Sequence, residues 1–153
     1  AGCGSTQIMN GAPQTIGMDV LMRKLRFMRR PGRHLVRGST FALPFKDAAF
    51  EVVISSQVIE HIPEDDVIFQ ALARCVEPGG LLILGTPDYG SWQWPLIERI
   101  YGFVKPMGYA DEHITHYTRA GLFSRLESMG FTIEEHRYIL EGELIIKARK
   151  PRT

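Results

Sequence analysis

Short apolar runs alternate along this chain with stretches whose apolar residues return every three or four positions, the pattern of strands exchanging with amphipathic helices. Thr15 to Asp19, Leu35 to Arg37, Phe50 to Ser55 and Leu81 to Thr86 read as strands. Val52-Val53-Ile54 and Leu81 to Leu84 are unbroken apolar runs, as strands covered on both faces require. After Asp19, Leu21, Leu25 and Met28 share one helical face while Arg23, Lys24, Arg26 and Arg30 point elsewhere, and Pro31-Gly32 stops that helix. From Glu64, the acids Glu64, Asp65 and Asp66 suit a helix N-terminus. Val67, Ile68, Ala71, Leu72 and Cys75 then form the expected buried stripe, and Pro78-Gly79-Gly80 the stop before the next strand. Thr118 is placed to cap a third helix with the stripe Leu122, Phe123, Leu126 and Met129, ended by Gly130. Phe131 to Ile139 and Glu143 to Arg149 read as an antiparallel hairpin turning around Glu141-Gly142. The expected architecture is α/β: a Rossmann-like, mostly parallel sheet with helices on both faces and an antiparallel C-terminal hairpin.

Residues 89–117 interrupt the alternation. The segment carries both tryptophans and the helical spacing Ile97, Ile100, Tyr101, Val104, opened by Pro95, just after a strand's carboxyl end. Open α/β sheets bind ligands there, so the segment is expected to cap a pocket; plain core packing explains aromatic residues at this spacing equally well.

A length of 153 residues and 44% hydrophobic content fit one domain and exclude a disordered chain. No apolar run approaches the roughly 20 residues a membrane helix needs. Two cysteines, Cys3 and Cys75, cannot build a disulfide framework or a four-cysteine zinc site, so a cytoplasmic location is the default expectation. The net charge of +1 argues against a protein devoted to nucleic acid. Arg23, Lys24, Arg26, Arg29, Arg30, Arg33 and Arg37 form the one basic cluster, and the apolar opposite face of its helix makes a solvated surface the better account.

Gly2-Cys3-Gly4 lets a backbone approach a ligand closely and leaves amides free for an anionic group. Asp19, at the carboxyl end of the next strand, is placed to accept hydrogen bonds from the two hydroxyls of a ribose. The pair points to a nucleoside-containing cofactor. A dinucleotide is disfavoured because Gln7 stands where its motif needs a third glycine.

Beyond these, Leu43-Pro44-Phe45, Phe50-Glu51-Val52-Val53, Val58-Ile59-Glu60-His61-Ile62, Glu77-Pro78-Gly79-Gly80-Leu81-Leu82 and Gly130-Phe131 follow Ala1-Gly2-Cys3-Gly4 in order. Together they resemble the Rossmann-like (class I) S-adenosylmethionine-dependent methyltransferases, in particular the small-molecule group that includes the quinone-biosynthesis enzymes. The resemblance implies that Gly2, Cys3 and Gly4 line the methionine end of S-adenosylmethionine, that Asp19 holds the ribose and that Val20 lies against the adenine. It also implies that Ser39 and Thr40 flank the adenine edge and that Ser55 and Ser56 face the methionine part. Ser39 departs from the family's usual acid, and Ser5-Thr6-Gln7 from its usual glycine. The strand that precedes the glycine loop in the family, between those at Thr15 and Phe50, has no counterpart in these residues. The expectation is therefore an N-terminally incomplete methyltransferase domain over residues 1–153, its cap at about 89–117.

A sulfonium methyl is already a good electrophile, so the protein has to align the acceptor, exclude water and, for a hydroxyl or acidic carbon, supply a base. His116 and His61 are the candidate catalytic groups, with His113 beside them, because histidine titrates near neutral pH. A structural role, with His61 fixing the start of its helix, is the plainer alternative. Asp111, Glu112, His113 and His116 do not complete a metal site, and none is expected. Two other functions compete with small-molecule methylation. A nucleic-acid methyltransferase is disfavoured because Ser55-Ser56-Gln57-Val58 stands where base-modifying enzymes carry an Asn- or Asp-Pro-Pro-aromatic motif. A non-catalytic cofactor-binding domain is the other, given Ser39 and Ser5-Thr6-Gln7.

Overall fold

The structure, a computed structural model, describes residue 2 and residues 14–92, 113–140 and 142–152. Cys3, Gly4, Ser5-Thr6-Gln7, Asp111, Glu112 and most of the expected cap lie outside the described residues. In chain order the elements are β1 (Ile16–Asp19), α1 (Met22–Met28), β2 (His34–Arg37), β3 (Phe50–Ser56), a 3-10 turn (Ile59–His61), α2 (Asp66–Cys75), β4 (Val76–Pro87), α3 (Arg119–Ser128), β5 (Thr132–Ile139) and β6 (Glu143–Arg149).

β1 pairs with β2 in parallel, Ile16 opposite His34 and Asp19 opposite Arg37. β3 pairs with β4 in parallel, and β6 runs antiparallel between β4 and β5. The order is β1-β2 in one sheet and β3-β4-β6-β5 in a second. Met18 of β1 and Leu43 nevertheless share a single core with Ile68, Phe69, Leu72, Leu82, Leu84, Leu126 and Ile146. Helices and strands therefore fold around one apolar centre, and the α/β architecture with its antiparallel hairpin is the one expected.

Several local expectations are corrected. In the strands, Ile16 is 40% and Val52 42% exposed, rather than buried as read from the sequence. Leu21 precedes α1 as its N-cap and is half-exposed, so only Leu25 and Met28 carry that helix's buried face. In α2 the buried side chains are Ile68, Phe69, Leu72, Ala73 and Cys75, while Val67 is exposed. Turning the ring of Phe69 inward removes more apolar area from water than burying Val67 would, and that sets the rotation of the helix. Asp65, whose side chain accepts from Val67 N at 2.9 Å, caps the helix, so His61 does not.

Pro78-Gly79-Gly80 is not a helix stop. α2 ends at Cys75, and β4 starts at once and carries these residues through a shift of register between Phe50 and Val52. Gly79 has φ +78°, and a Cβ on Gly80 would stand 2.7 Å from the Glu51 carbonyl oxygen. The two glycines thus form the irregularity that a bulge needs. Gly130, at φ +86°, ends α3 as expected.

The hairpin carries an exposed ion cluster. Glu134 on β5 pairs with Lys147 Nζ at 2.9 Å and with Arg149 on β6, and these partners hold its carboxyl down at about 2. Because the folded value lies below the ordinary 4.5, the stability contributed is present above about 4.5 and is lost as pH falls towards 2. Glu134→Gln is expected to melt below the parent at neutral pH, with the difference disappearing across that window. A gap in melting temperature that persists at pH 2 would contradict the assignment.

Candidate active site

The chemistry-bearing residues stand at the carboxyl ends of β1, β3 and β4, the ends at which open α/β sheets bind ligands. At the end of β1, Asp19 is 4% exposed. Its Oδ1 accepts from Leu21 N at 2.8 Å and its main-chain oxygen from Gly38 N at 3.2 Å, which fixes the carboxylate between β1 and the residues after β2. Val20 beside it is an exposed apolar side chain, free to cover a flat ring. Ser39 spends its hydroxyl locally, accepting from Phe41 N at 3.3 Å, and Ser39 and Thr40 are half-buried.

Gly2 adopts φ +65°, and a Cβ there would stand 2.2 Å from Val58 Cγ2. Gly2 is therefore seated against Val58, which follows β3, a seat that only glycine fits. Ser55 is 1% exposed and its Oγ has no hydrogen-bond partner among the described residues; Ser56 lies against Gly85, whose Cβ would meet Ser56 Oγ at 2.6 Å. A buried hydroxyl with no partner is costly unless something else satisfies it.

Behind this edge lies a cluster that sequence reasoning only half identified. Glu60 is fully buried; its Oε2 accepts from Thr86 Oγ1 at 3.2 Å, and its Oε1 has no hydrogen-bond partner among the described residues. Burial pushes the Glu60 carboxyl up, against the lowering effect of a main-chain hydrogen bond and of His61. The Glu60 main-chain oxygen accepts from Ile114 N at 2.8 Å and Thr115 N at 3.1 Å, which pins the 113–117 strand-like segment beside the 3-10 turn. Along that segment His113, Thr115 and Tyr117 are buried and His116 is exposed. His113 Nδ1 lies 2.8 Å from the Tyr89 hydroxyl, and its ring centroid is 5.0 Å from that of His61. His116 stacks on Tyr89, the centroids 4.0 Å apart. His61 and His113 are thus brought together with Glu60, whereas His116 stands on the outer face of Tyr89. Glu60 and Tyr89 were not singled out in advance, although a carboxylate framed by Ile59 and Ile62 is a signal of burial with purpose.

Asp88, just past β4, is structural. Its Oδ1 accepts from Gly90 N and Arg119 N, both at 3.0 Å, and its Oδ2 from the Tyr138 hydroxyl at 2.6 Å. It thereby ties the end of β4 to the first turn of α3 and to β5. Asp88→Ala is expected to cost about 3 kcal/mol in urea unfolding, because three hydrogen bonds to a carboxylate are lost together, and Tyr138→Phe about 1 kcal/mol. Parent-like stability of Asp88→Ala would refute this role.

These features fit a nucleoside-sulfonium group: a fixed carboxylate for paired hydroxyls, an exposed apolar neighbour, a glycine seat and an unsatisfied buried hydroxyl. Comparison with known proteins bears on the same point. A family model for the methyltransferase domain matches residues 1–84, more than half of the chain. The chain belongs to that methyltransferase-domain family. A protein of Mycolicibacterium smegmatis named "Probable S-adenosylmethionine-dependent methyltransferase" is 28% identical over 151 residues, covering 93% of this chain and 54% of its own length. The chain therefore spans about half the length of that curated relative. Among solved structures, a SAM-dependent methyltransferase of Thermotoga maritima superposes with a TM-score of 0.79 at 18% identity, over 97% of this chain and 79% of that one. One from Methanosarcina mazei gives 0.74 at 19%, over 99% and 91%. At such identities these two establish the fold of the methyltransferase domain. S-adenosylmethionine is the cofactor that this family and fold imply. Among the described residues no helix is long and apolar enough to cross a membrane.

Proposed function

We propose that the protein transfers a methyl group from S-adenosylmethionine to a small-molecule acceptor in the cytoplasm. The observations that carry this reading are the buried Asp19 carboxylate at the carboxyl end of β1, Gly2 seated against Val58 after β3, and the buried Ser55 hydroxyl near the end of β3, which has no hydrogen-bond partner among the described residues. S-adenosylmethionine supplies an electrophilic sulfonium methyl when bound. Asp19 accepts from the ribose hydroxyls, Val20 covers the adenine with Ser39 and Thr40 at its edge, and Gly2, Cys3, Gly4, Ser55 and Ser56 hold the methionine part. The residues of the cap, about 89–117, exclude water from the acceptor, and His116 or His61 takes its proton where one must leave. The domain covers residues 1–153, with a further strand pairing between β1 and β3; the separate sheets and the exposed Ile16 and Val52 support that placement.

The basic cluster supports the small-molecule reading over a nucleic-acid one. Arg30 donates to the carbonyls of Phe27 and Arg29, Arg33 to that of Met28 and Arg37 to that of Val20, so each of these guanidiniums is engaged with the main chain through one of its nitrogens. The test is methyl transfer from labelled S-adenosylmethionine by the full-length protein to phenols, quinols, sugars and lipids, with RNA as a parallel arm. Label in a small-molecule class is the expected result. Label in RNA alone, or cofactor binding with no transfer to any class, would overturn the proposal.

A further inference from the structure

We propose that Glu60, His61 and His113 form a divalent metal site, best matched to Zn²⁺, whose remaining coordination position takes an oxygen of the methyl acceptor. One ligand-competent atom from each of the three residues lies within 4.8 Å of the other two. Two imidazoles and one carboxylate are a donor set that zinc uses in sites that keep a position open for water or substrate.

An independent observation points the same way. Glu60 is fully buried, yet among the described residues its Oε1 has no hydrogen-bond partner, and that oxygen is 3.8 Å from His61 Nε2. The opposite oxygen is held by Thr86, so the unmet oxygen is fixed in place. A buried carboxylate oxygen without a donor is costly, and a cation between it and the imidazoles removes the cost.

The surroundings are those of a supported site. The Tyr89 hydroxyl lies 2.8 Å from His113 Nδ1, which orients the ring; metal-bound histidines are commonly steadied through one ring nitrogen in this way. The main-chain bonds from Ile114 and Thr115 to Glu60, together with Thr115 Oγ1 donating to the Ile62 carbonyl at 2.7 Å, lock the two ligand-bearing segments to each other. The His61 side chain is 37% exposed, so the cluster is not sealed. This group differs from the Asp111, Glu112, His113, His116 set considered from sequence, and only His113 is common to both. In this arrangement His61 is a ligand, and of the two candidate bases named above the role falls to His116.

The choice of acceptor oxygen as the remaining ligand rests on the methyltransferase reading; the metal site itself does not. A hydroxyl or vicinal diol is the acceptor chemistry that such an ion binds.

The test uses full-length protein stripped with a chelator, titrated with Zn²⁺ against a chromophoric competitor, with S-adenosylmethionine affinity measured on the same preparations. One equivalent of Zn²⁺ is expected to bind to the parent and to His34→Ala. His61→Ala and His113→Ala should each weaken it by more than about tenfold, since even outer partners of a metal are worth roughly that much. Circular dichroism checks that the variants fold, and the partly exposed His61 keeps the test decisive should Glu60 variants not fold. Absence of stoichiometric binding to the parent, or equal binding by all variants, would overturn the site even where S-adenosylmethionine still binds. Stoichiometric Zn²⁺ binding without any cofactor binding would leave the site standing and remove the methyltransferase reading instead.

Discussion

Asp19→Asn is expected to bind S-adenosylmethionine about 100-fold more weakly than the parent while folding normally. The amide keeps an oxygen to accept from Leu21 N, so the local turn survives. What goes is the negative charge opposite two hydroxyl donors. Hydrogen bonds to a charged group are worth roughly 1.5–3 kcal/mol each, and a loss of about 2.7 kcal/mol is a hundredfold in affinity. Calorimetry gives the affinity, and a melting curve separates it from any change in stability. Unchanged affinity would remove the ribose role from Asp19 and with it the main support for the nucleoside site.

Gly2→Ala is the second variant with a large expected effect. A non-glycine residue at φ +65° costs roughly 1–2 kcal/mol, and the added methyl would also lie 2.2 Å from Val58 Cγ2. Residue 2 then has to leave its seat against Val58, and cofactor affinity is expected to fall by more than about tenfold. Val58→Ala placed in the Gly2→Ala background relieves the contact and leaves the backbone strain, so affinity should recover in part. Full recovery would mean that the clash alone matters, and no recovery would mean that Val58 does not form the seat.

The parts of the fold that were legible in sequence are those written in local pattern. The hairpin of β5 and β6, the Thr118 cap and the glycine after α3 follow from neighbours a few residues apart, and they stand where expected. Where two local rules competed, the reading went astray. Pro78-Gly79-Gly80 signals a break, but a strand with a bulge uses the same residues, and only the opposing Glu51 carbonyl distinguishes the two. Val67 and Phe69 are both apolar positions in α2, and the choice of buried face depends on what covers the helix.

The site was legible in its strand-end residues and illegible in its pairings. Asp19 and Ser55 announce themselves because a polar side chain closes an apolar run. Glu60 was visible inside the Val58-Ile59-Glu60-His61-Ile62 motif, yet its tie to Thr86 and its proximity to His113 arise from the sheet and have no local period. Asp88 is the same case, since its partners Arg119 and Tyr138 belong to elements much later in the chain. The alternation of exposure along residues 113–117 faces His113 inward and His116 outward, a distinction that two histidines in a loop do not carry by themselves.

The most direct test of the account is a crystal structure of the full-length protein with S-adenosylhomocysteine, the demethylated cofactor. The account predicts the ribose hydroxyls on the Asp19 carboxylate, the adenine over Val20 and the amino-acid end between Gly2 and Ser55. A nucleoside lodged elsewhere, or density absent from that edge at saturating ligand, would contradict it.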